Sequence, residues 1–398
     1  MGEHERNEGG TASVTKKPRV RSPVPPLLGA GGGLLGFLYS FQNDGSDNYD
    51  ASNEEINKES GSFMKAMVLS QPGPIESAPL TLTEVLAPEP GRMEILIQVE
   101  VCGVCRTDLH VTEGDLPPHK QPIIPGHEIV GRVVKNGPLS QRFKVGDRVG
   151  VAWLGHTDGT CAYCLRGDEN LCDAPEFTGY DRNGGYAEYM VAHEDFTYPL
   201  PETVSPEEAA PFLCAGIIGY RALERAMLPL GAPLGLYGFG ASAHILIQIA
   251  RHRGSNVYVC TREERHQALA LKLDTVWAGG ADAEPPVKLR SSILFAPAGP
   301  LVLPALAALD KGGTLSLAGI YMTPIPEMDY GQYLFQEHTL RSVTANTRRD
   351  GQELLKLAAE IPLHTQTTEF PLEQANEALQ ALKHDQINGA AVLRVSAG

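Results

Sequence analysis

The sequence predicts an α/β protein in which a small, partly open β-barrel precedes a parallel sheet flanked by helices. Between Met64 and about Val204, short β-rich runs are separated by proline, glycine and asparagine, as in a turn-rich barrel. After Ser205, apolar runs alternate with helical stretches, which is the pattern of βαβ units around a buried parallel sheet. These two patterns predict an architecture of two unlike parts.

Length and composition limit the function classes. The chain has 398 residues, which predicts two or three domains. A formal net charge of −15 argues against a nucleic-acid surface, since such a surface needs clustered lysine and arginine. Seven cysteines, several in close pairs, favour metal binding in a reducing compartment over a secreted disulfide framework. We therefore expect a cytoplasmic protein that acts on a small molecule.

Four segments are predicted along the chain. Residues 1–62 are rich in glycine, serine, asparagine and proline and are predicted to be disordered. Within them, residues 27–41 imitate a signal peptide only loosely, because acidic residues precede the basic run and no clear cleavage site follows. A catalytic domain, a coenzyme domain and a segment that packs back on the catalytic domain are expected at residues 63–211, 212–345 and 346–398. No stretch is apolar for long enough to span a bilayer.

A glycine-rich turn follows a strand of the predicted parallel sheet. Gly238, Gly240 and Ala243 form a G-x-G-x-x-A pattern between that strand and an amphipathic helix. The first glycine permits a tight turn, the second lets a pyrophosphate approach the backbone, and the small third residue allows close helix packing. The pattern predicts a Rossmann-type, doubly wound coenzyme domain, and an ordinary turn is the alternative.

The next strand bears on the choice of coenzyme. Where a carboxylate would bind the ribose hydroxyls of NAD, the sequence offers Thr261 and Arg262. Because an arginine pairs well with a phosphate, this favours NADP over NAD. The alternative is that Arg262 is a solvated residue at a helix start, beside Glu263 and Glu264.

Three side chains suggest a catalytic metal. Cys105 and His127 lie in the β-rich part, and Cys214 follows much later in the chain. Zinc binds cysteine and histidine readily, and three protein ligands with one open position are typical of catalytic zinc. Read singly, Cys214 is also explained as a small buried hydrophobe and His127 as a core histidine.

From about Met64 onward the chain resembles the zinc-dependent medium-chain alcohol dehydrogenases, close to their propanol-preferring bacterial members. The most specific motif is a Gly-His-Glu pattern met by Gly126, His127, Glu128, Gly131, Gly137 and Ser140. The resemblance implies a GroES-like catalytic domain and a zinc held by Cys105, His127 and Cys214. It also implies reversible hydride transfer between a primary alcohol or aldehyde and NAD(P).

The resemblance also assigns proton-transfer and supporting roles. Thr107 would take the alcohol proton and His110 would pass it outward, whereas a local backbone hydrogen bond is the alternative for Thr107. Asp108 would orient His127, and Glu128 would lie behind the metal as an occasional ligand.

Contacts with coenzyme and substrate are implied in the same way. Arg106 and Arg348 would contact the coenzyme pyrophosphate, with a surface salt bridge as the alternative for Arg348. Trp153 and Tyr180 would line the substrate cleft, and core packing is the alternative for both. Aromatic walls favour primary aliphatic or aromatic alcohols and their aldehydes.

A second group of cysteines matches the structural zinc lobe of the family. Cys161, Cys164 and Cys172 have the required spacing, and Asp158 replaces the first of the usual four cysteines. An aspartate oxygen binds zinc at about 2.0 to 2.2 Å, so a second, weaker zinc site is expected. His156 is another possible substitute, and an empty lobe with three free thiols is the alternative.

Two other functions stay open at this point. One is a zinc-free NADPH-dependent enone or quinone reductase of the same fold, and the other is a catalytically silent binding or structural relative. Retention of Cys105, His127 and Cys214 argues against the first, and Thr107 and His110 argue against the second. The resemblance further implies a homo-dimer or homo-tetramer, with no nucleic-acid or membrane partner.

Overall fold

The structure is a computed structural model that describes residues 62–396. The signal-like residues 27–41, and all but the last residue of the predicted N-terminal extension, lie outside the described residues. The described part begins directly before the strand Phe63–Leu69, where the sequence predicts the first strand of a domain.

Strands and helices are distributed along the described residues as follows. The strands are β1 (Phe63–Leu69), β2 (Leu80–Leu86), β3 (Glu94–Val104), β4 (Glu128–Asn136), β5 (Arg148–Val151), β6 (Leu154–His156), β7 (Glu176–Phe177), β8 (Tyr189–His193), β9 (Thr197–Pro199), β10 (Leu234–Tyr237), β11 (Val257–Cys260), β12 (Trp277–Gly279), β13 (Leu289–Leu294), β14 (Leu309–Leu317), β15 (Thr339–Ser342), β16 (Thr367–Pro371) and β17 (Ala390–Arg394). The α-helices are α1 (Arg106–Glu113), α2 (Ala162–Leu165), α3 (Pro206–Ala209), α4 (Ala215–Arg225), α5 (Ala241–His252), α6 (Glu264–Lys272), α7 (Val302–Ala307), α8 (Tyr330–Tyr333), α9 (Arg348–Glu360) and α10 (Ala375–Lys383). Within residues 62–396, no helix has the length and apolar character needed to cross a membrane.

The larger sheet joins strands that are far apart in sequence. Its order is β16-β17-β3-β4-β5-β9, and β8 pairs with β3 beside this path. β17 runs antiparallel to β3, with Leu393 opposite Cys102 and Val392 opposite Gly103. Because β3 leads directly into Cys105, a strand from the C-terminal part of the chain supports the segment that presents this cysteine.

The other large sheet is parallel throughout, in the order β12-β11-β10-β13-β14-β15. Counted from β10, this is the order 3-2-1-4-5-6 of the doubly wound dinucleotide-binding fold. In such sheets a ligand binds at the carboxyl ends of the strands where the order reverses, which here is the end of β10. The two sheets confirm the predicted fold class, an α/β protein with a partly open barrel and a Rossmann-type sheet.

A short 3-10 turn, Ala210–Leu213, fills space between the two sheets. Phe212 and Leu213 are buried in an apolar cluster that includes residues of both sheets. Gly150 permits this contact, because a Cβ at that position would lie 2.8 Å from Leu213 Cδ2. The packing fixes the backbone immediately before Cys214.

Candidate active site

Four potential metal ligands lie close together. Cys105, His127, Glu128 and Cys214 each offer one ligand atom, and these atoms all lie within 4.8 Å of one another. The Sγ atom of Cys105 is 3.2 Å from His127 Nε2 and 4.0 Å from Cys214 Sγ. His127 and Glu128 are fully buried, and both cysteines are partly buried. The structure thus brings together residues from three separate stretches of the sequence.

Both cysteines of this cluster stand at the start of a helix. Cys105 is the N-cap of α1, and the backbone N–H of Thr107 donates to its Sγ atom at 3.3 Å. Cys214 occupies the same position before α4. Backbone N–H groups and the helix dipole favour negative charge at a helix N-terminus. Cys105 carries the thiolate more readily, because hydrogen bonds from Cys214 and His127 and the His127 charge outweigh burial and bring its pKa well below the usual value. The contact with Cys105 and burial instead raise the pKa of Cys214.

Asp108 connects the parts of the cluster from the first turn of α1. Its Oδ2 accepts a hydrogen bond from the backbone N–H of Cys105 at 3.0 Å. Its Oδ1 lies 2.9 Å from His127 Nδ1 and accepts from the N–H of Gly126 at 3.2 Å. When Nδ1 donates to Asp108, the lone pair of the neutral imidazole lies on Nε2, which faces Cys105.

The cluster concentrates anionic groups in a buried space. Burial raises the pKa of Glu128 well above its usual value, and the nearby Cys105 raises it further. Burial lowers the pKa of His127, but Asp108 and Cys105 oppose burial and bring that pKa well above its usual value. Buried charges of one sign are stable only when they are paired or bind a metal, so this donor set suits a cation.

Two glycines provide the space that the cluster requires. Gly126 has a φ of +98°, and a Cβ there would lie 2.8 Å from Cys102 Sγ. At Gly103 a Cβ would lie 1.9 Å from Glu128 Oε2, so only a glycine leaves room for the carboxylate. The Gly-His-Glu motif predicts Gly126. The need for a glycine at position 103 becomes evident only from the pairing of β3 with β4, which places Gly103 opposite Glu128.

The predicted coenzyme turn lies between β10 and α5. Gly238 has a φ of +89°, and a Cβ there would lie 2.9 Å from the backbone nitrogen of Ala296. A Cβ at Gly240, the residue before α5, would meet nothing within 4 Å, whereas Ala243 is fully buried. The open space at the start of this helix suits an anion such as a pyrophosphate.

Comparison with known proteins agrees with this geometry. The family described as "Alcohol dehydrogenase GroES-like domain" matches residues 91–202. The "Probable alcohol dehydrogenase AdhA" of Mycobacterium tuberculosis is 51% identical over 337 residues, which are 83% of this chain and 97% of that protein. An alcohol dehydrogenase of Geobacillus stearothermophilus is 36% identical over 341 residues, covering 83% and 100% of the two chains. The chain belongs to the zinc-type medium-chain alcohol dehydrogenase family.

Solved structures agree with this assignment. A cinnamyl alcohol dehydrogenase from Sorghum bicolor superposes with a TM-score of 0.76 at 26% identity, covering 84% of this chain and 98% of that one. A cobalt- and zinc-bound alcohol dehydrogenase from Pyrobaculum aerophilum gives 0.77 at 23% identity, covering 84% and 100%, a likeness of fold alone. The prediction of an alcohol dehydrogenase, an oxidoreductase acting on alcohols, is confirmed.

Helix α1 of this alcohol dehydrogenase also holds the two residues assigned to proton transfer. Thr107 is buried beside Cys105, and His110 is partly exposed with Nδ1 3.1 Å from Asp115 Oδ2. Residues three apart on a helix lie on the same side. The helix therefore directs Thr107 and His110 toward the same side, one buried and one nearer to solvent.

Aromatic rings lie against the histidine of the cluster. Trp153 packs edge-on against His127 with ring centroids 5.0 Å apart, and it stacks on Phe177 at 4.9 Å. Tyr180 lies 5.8 Å from Trp153 by the same measure. Trp153 thus lies against the ligand cluster, Tyr180 lies beside Trp153, and the structure adds Phe177, which no sequence pattern indicated.

Tyr180 is held by a hydrogen-bonded chain that the sequence did not predict. Its hydroxyl lies 3.2 Å from His119 Nε2, and His119 Nδ1 lies 2.7 Å from Asp181 Oδ1. The tautomer that donates from Nδ1 to Asp181 accepts the tyrosine proton at Nε2, so both contacts are satisfied together. His119 and Tyr180 are 61 residues apart, and no local spacing predicts their contact.

The second cysteine group also comes together. Asp158, Cys161, Cys164 and Cys172 each offer a ligand atom, and all four atoms lie within 4.8 Å of one another. Asp158 Oδ1 accepts hydrogen bonds from the N–H groups of Cys161 and Thr160, and these lower the pKa of Asp158 far below its usual value. The substitute His156 lies elsewhere, with its ring against those of His193 and Phe196.

The residues predicted to contact coenzyme phosphates lie in different surroundings. Thr261 is buried, whereas the side chain of Arg262 is 77% exposed directly after β11. Arg106 is exposed at the start of α1. Arg348 forms the salt bridge named above as its alternative, with Nη2 2.7 Å from Glu169 Oε2, and its guanidinium lies over the Phe196 ring.

Proposed function

We propose that this alcohol dehydrogenase interconverts primary alcohols and aldehydes with NAD(P), using a catalytic zinc held by Cys105, His127 and Cys214. The supporting observation is the convergence of two thiols, one imidazole nitrogen and one carboxylate within 4.8 Å. Sulfur and nitrogen donors suit zinc, and three such ligands leave a position for the substrate oxygen. Glu128 is the fourth group of the cluster and serves as an alternative ligand.

Zinc at this cluster would act as a Lewis acid, favouring loss of the alcohol proton and polarising the aldehyde carbonyl. The protein contributes orientation. Asp108 keeps the Nε2 lone pair of His127 directed into the cluster, and the N–H of Thr107 at the start of α1 stabilises the thiolate of Cys105.

We assign proton transfer to helix α1. The Thr107 hydroxyl accepts the alcohol proton, and His110 passes a proton to solvent because its ring is partly exposed. The coenzyme ribose would connect the two. Arg106 and Arg348 complete this part of the proposal as contacts of the pyrophosphate.

The coenzyme is proposed to be NADP in preference to NAD. Arg262 supports this because its exposed guanidinium directly follows β11, where an NAD enzyme carries a carboxylate. Gly238, Gly240 and Ala243 are proposed to form the pyrophosphate turn, and Thr261, buried beside Arg262, is proposed as a further coenzyme contact. Structures of the same fold include a Helicobacter pylori protein complexed with NADP(H) and a Geotrichum candidum acetophenone reductase in complex with NAD, so the fold alone does not decide the coenzyme.

A second, structural zinc is proposed at Asp158, Cys161, Cys164 and Cys172. The supporting observation is again convergence of four ligand atoms, although aspartate should bind more weakly than a fourth thiolate.

Trp153 and Tyr180 are proposed to select apolar substrates, aliphatic or aromatic. We also propose that the chain divides into three segments, at residues 63–211, 212–345 and 346–398. A cytoplasmic location and a homo-dimer or homo-tetramer complete the proposal.

Metal analysis combined with a coenzyme assay tests the proposed function. Purified protein should contain zinc and should reduce NADP, and NAD less well, with primary alcohols. Removal of zinc by a chelator should abolish turnover, and added zinc should restore it. Protein that lacks zinc and reduces an enone with NADPH would instead favour the zinc-free reductase, and protein without zinc or turnover would contradict the proposal outright.

A further inference from the structure

Three arginines contact one residue, Asp385, beside the proposed coenzyme site, two of them through its carboxylate. Arg106 Nη2 lies 2.6 Å from Asp385 Oδ1, and Arg262 Nη2 lies 3.7 Å from Asp385 Oδ2. Arg265 donates a hydrogen bond to the backbone carbonyl of Asp385. Each carboxylate oxygen therefore faces a different guanidinium.

The residues of this contact come from distant parts of the chain. Asp385 lies in the turn between α10 and β17, with a φ of +53°. Arg106 begins α1 in the part of the protein that holds the metal cluster, and Arg262 follows β11 of the parallel sheet. Asp385 thus bridges the two parts at the residues to which phosphate contacts are assigned above.

We infer that Asp385 sets the selectivity between NADP and NAD by competing with the coenzyme phosphate for Arg106 and Arg262. This inference rests on the proposed role of Arg262 as the partner of the 2′-phosphate. A carboxylate oxygen is an anionic acceptor for a guanidinium, as a phosphate oxygen is. A phosphate that approaches these arginines must displace or share Asp385 and is repelled by its charge.

The penalty falls mainly on NADP. A phosphate monoester adds about 1.5 to 2 negative charges near neutral pH, which NAD lacks at this position. Arg262 does not depend on Asp385 for its orientation, because its Nε also donates to Glu263 Oε1 at the shorter distance of 2.7 Å. Removal of the Asp385 charge should therefore leave the Arg262 side chain in place and make its guanidinium more available to the 2′-phosphate of NADP.

Asp385 is also not expected to be needed for folding. The side chains of Arg106 and Asp385 are 48% and 43% exposed, and ion pairs at such exposure contribute little to stability. Asparagine is one of the residues that best tolerates a left-handed backbone conformation, so Asp385→Asn preserves the turn.

The test compares dissociation constants of NADP and NAD for the zinc-loaded protein and Asp385→Asn, by titration of intrinsic fluorescence. We expect the ratio of the NAD dissociation constant to the NADP dissociation constant to rise about threefold to tenfold in the variant, because the release of Arg106 acts on the pyrophosphate of both coenzymes and cancels in the ratio. The gain should shrink at high salt, since half-exposed charges are screened. Unchanged or weaker NADP binding, or an equal gain for both coenzymes, would overturn the inference.

Asp274→Asn is the matched control. Asp274 also follows a helix with a positive φ, +59°, and pairs with an arginine, Arg251 at 2.6 Å. It should change neither dissociation constant, and both variants should unfold at the same temperature as the parent protein.

Arg262→Ala separates failure of the inference from failure of the proposed coenzyme. If Arg262→Ala weakens NADP selectively while Asp385→Asn has no effect, the competition is wrong and the NADP assignment stands. If Arg262→Ala weakens both coenzymes equally, the NADP assignment fails, and the selectivity role of Asp385 fails with it.

Discussion

The two cysteine clusters of this protein use similar ligands in different surroundings. In the first, His127 is fully buried and Asp108 fixes its ring through a hydrogen bond of 2.9 Å. In the second, Asp158 is exposed, and backbone N–H groups rather than side chains hold its carboxylate. The comparison teaches that ligand identity alone does not distinguish the two clusters, whereas burial and the hydrogen-bond partners of the ligand residues do.

The largest expected contrast comes from removing one thiol from each cluster. Cys214→Ser should lose the catalytic zinc, and turnover should fall by more than about a hundredfold, beyond the usual cost of an outer partner. Cys172→Ser should lose the other zinc and lower the unfolding temperature while kcat of the folded enzyme changes little. Zinc content, kcat and thermal unfolding are the measurements.

Cys260→Ser is the control for both substitutions, because Cys260 is buried and lies outside both clusters. It should retain all bound zinc. If Cys172→Ser abolished turnover as completely as Cys214→Ser in protein that is still folded, the division into catalytic and structural clusters would be wrong.

A smaller but more specific effect is expected at Asp108. Asp108→Asn keeps the size of the side chain but removes the charge that orients His127, so zinc affinity and activity should fall about tenfold to a hundredfold. Competition with a chelator measures the affinity of the first cluster. A loss confined to the second cluster would contradict this account of His127.

At the second cluster, adding a thiolate ligand should strengthen zinc binding. Asp158→Cys restores a fourth thiolate and should slow zinc release to a chelator; each tenfold gain in affinity corresponds to about 1.4 kcal/mol. The unfolding temperature should rise, and kcat should stay within about twofold, since the lobe holds none of the proposed catalytic residues. Unchanged zinc release from Asp158→Cys would mean that position 158 supplies no ligand.

The smallest predicted effect compares a tyrosine near each cluster. Tyr180→Phe breaks the hydrogen bond to His119, and the loss of one such bond, about 1 kcal/mol, should raise KM for alcohol roughly fivefold with kcat nearly unchanged. Tyr163→Phe, in α2 of the lobe, should change neither constant. Equal behaviour of the two variants would remove Tyr180 from the substrate cleft.

The sequence predicted the elements whose signals are local. The glycine turn at Gly238 and the Gly-His-Glu motif each predict a backbone conformation that few other sequences can adopt. The alternation of apolar runs with helical stretches after Ser205 predicts the parallel sheet. Contacts between distant segments were not predictable in this way. The pairing of Asp385 with Arg106 crosses 279 positions, and it depends on how the turn after α10 meets α1.

Gly103 shows that a contact between neighbouring strands is also not predictable from local sequence. Its neighbours in sequence give no reason for a glycine, and its reason lies in Glu128 on the adjacent strand. Arg348 is a further case: its ion pair with Glu169 joins the start of α9 to the segment between Cys164 and Cys172 of the second cluster. A one-dimensional pattern records which side chains are present, but side-chain partners follow from register and packing.

The pairing of β17 with β3 has a consequence for the order of events during synthesis. Residues 101–104, directly before Cys105, receive their neighbours on one edge from residues 391–394. On a ribosome, that edge stays without its native partner until almost all of the described chain has been translated. The strand that presents Cys105 therefore completes its pairing only after His127, Glu128 and Cys214 have all been translated.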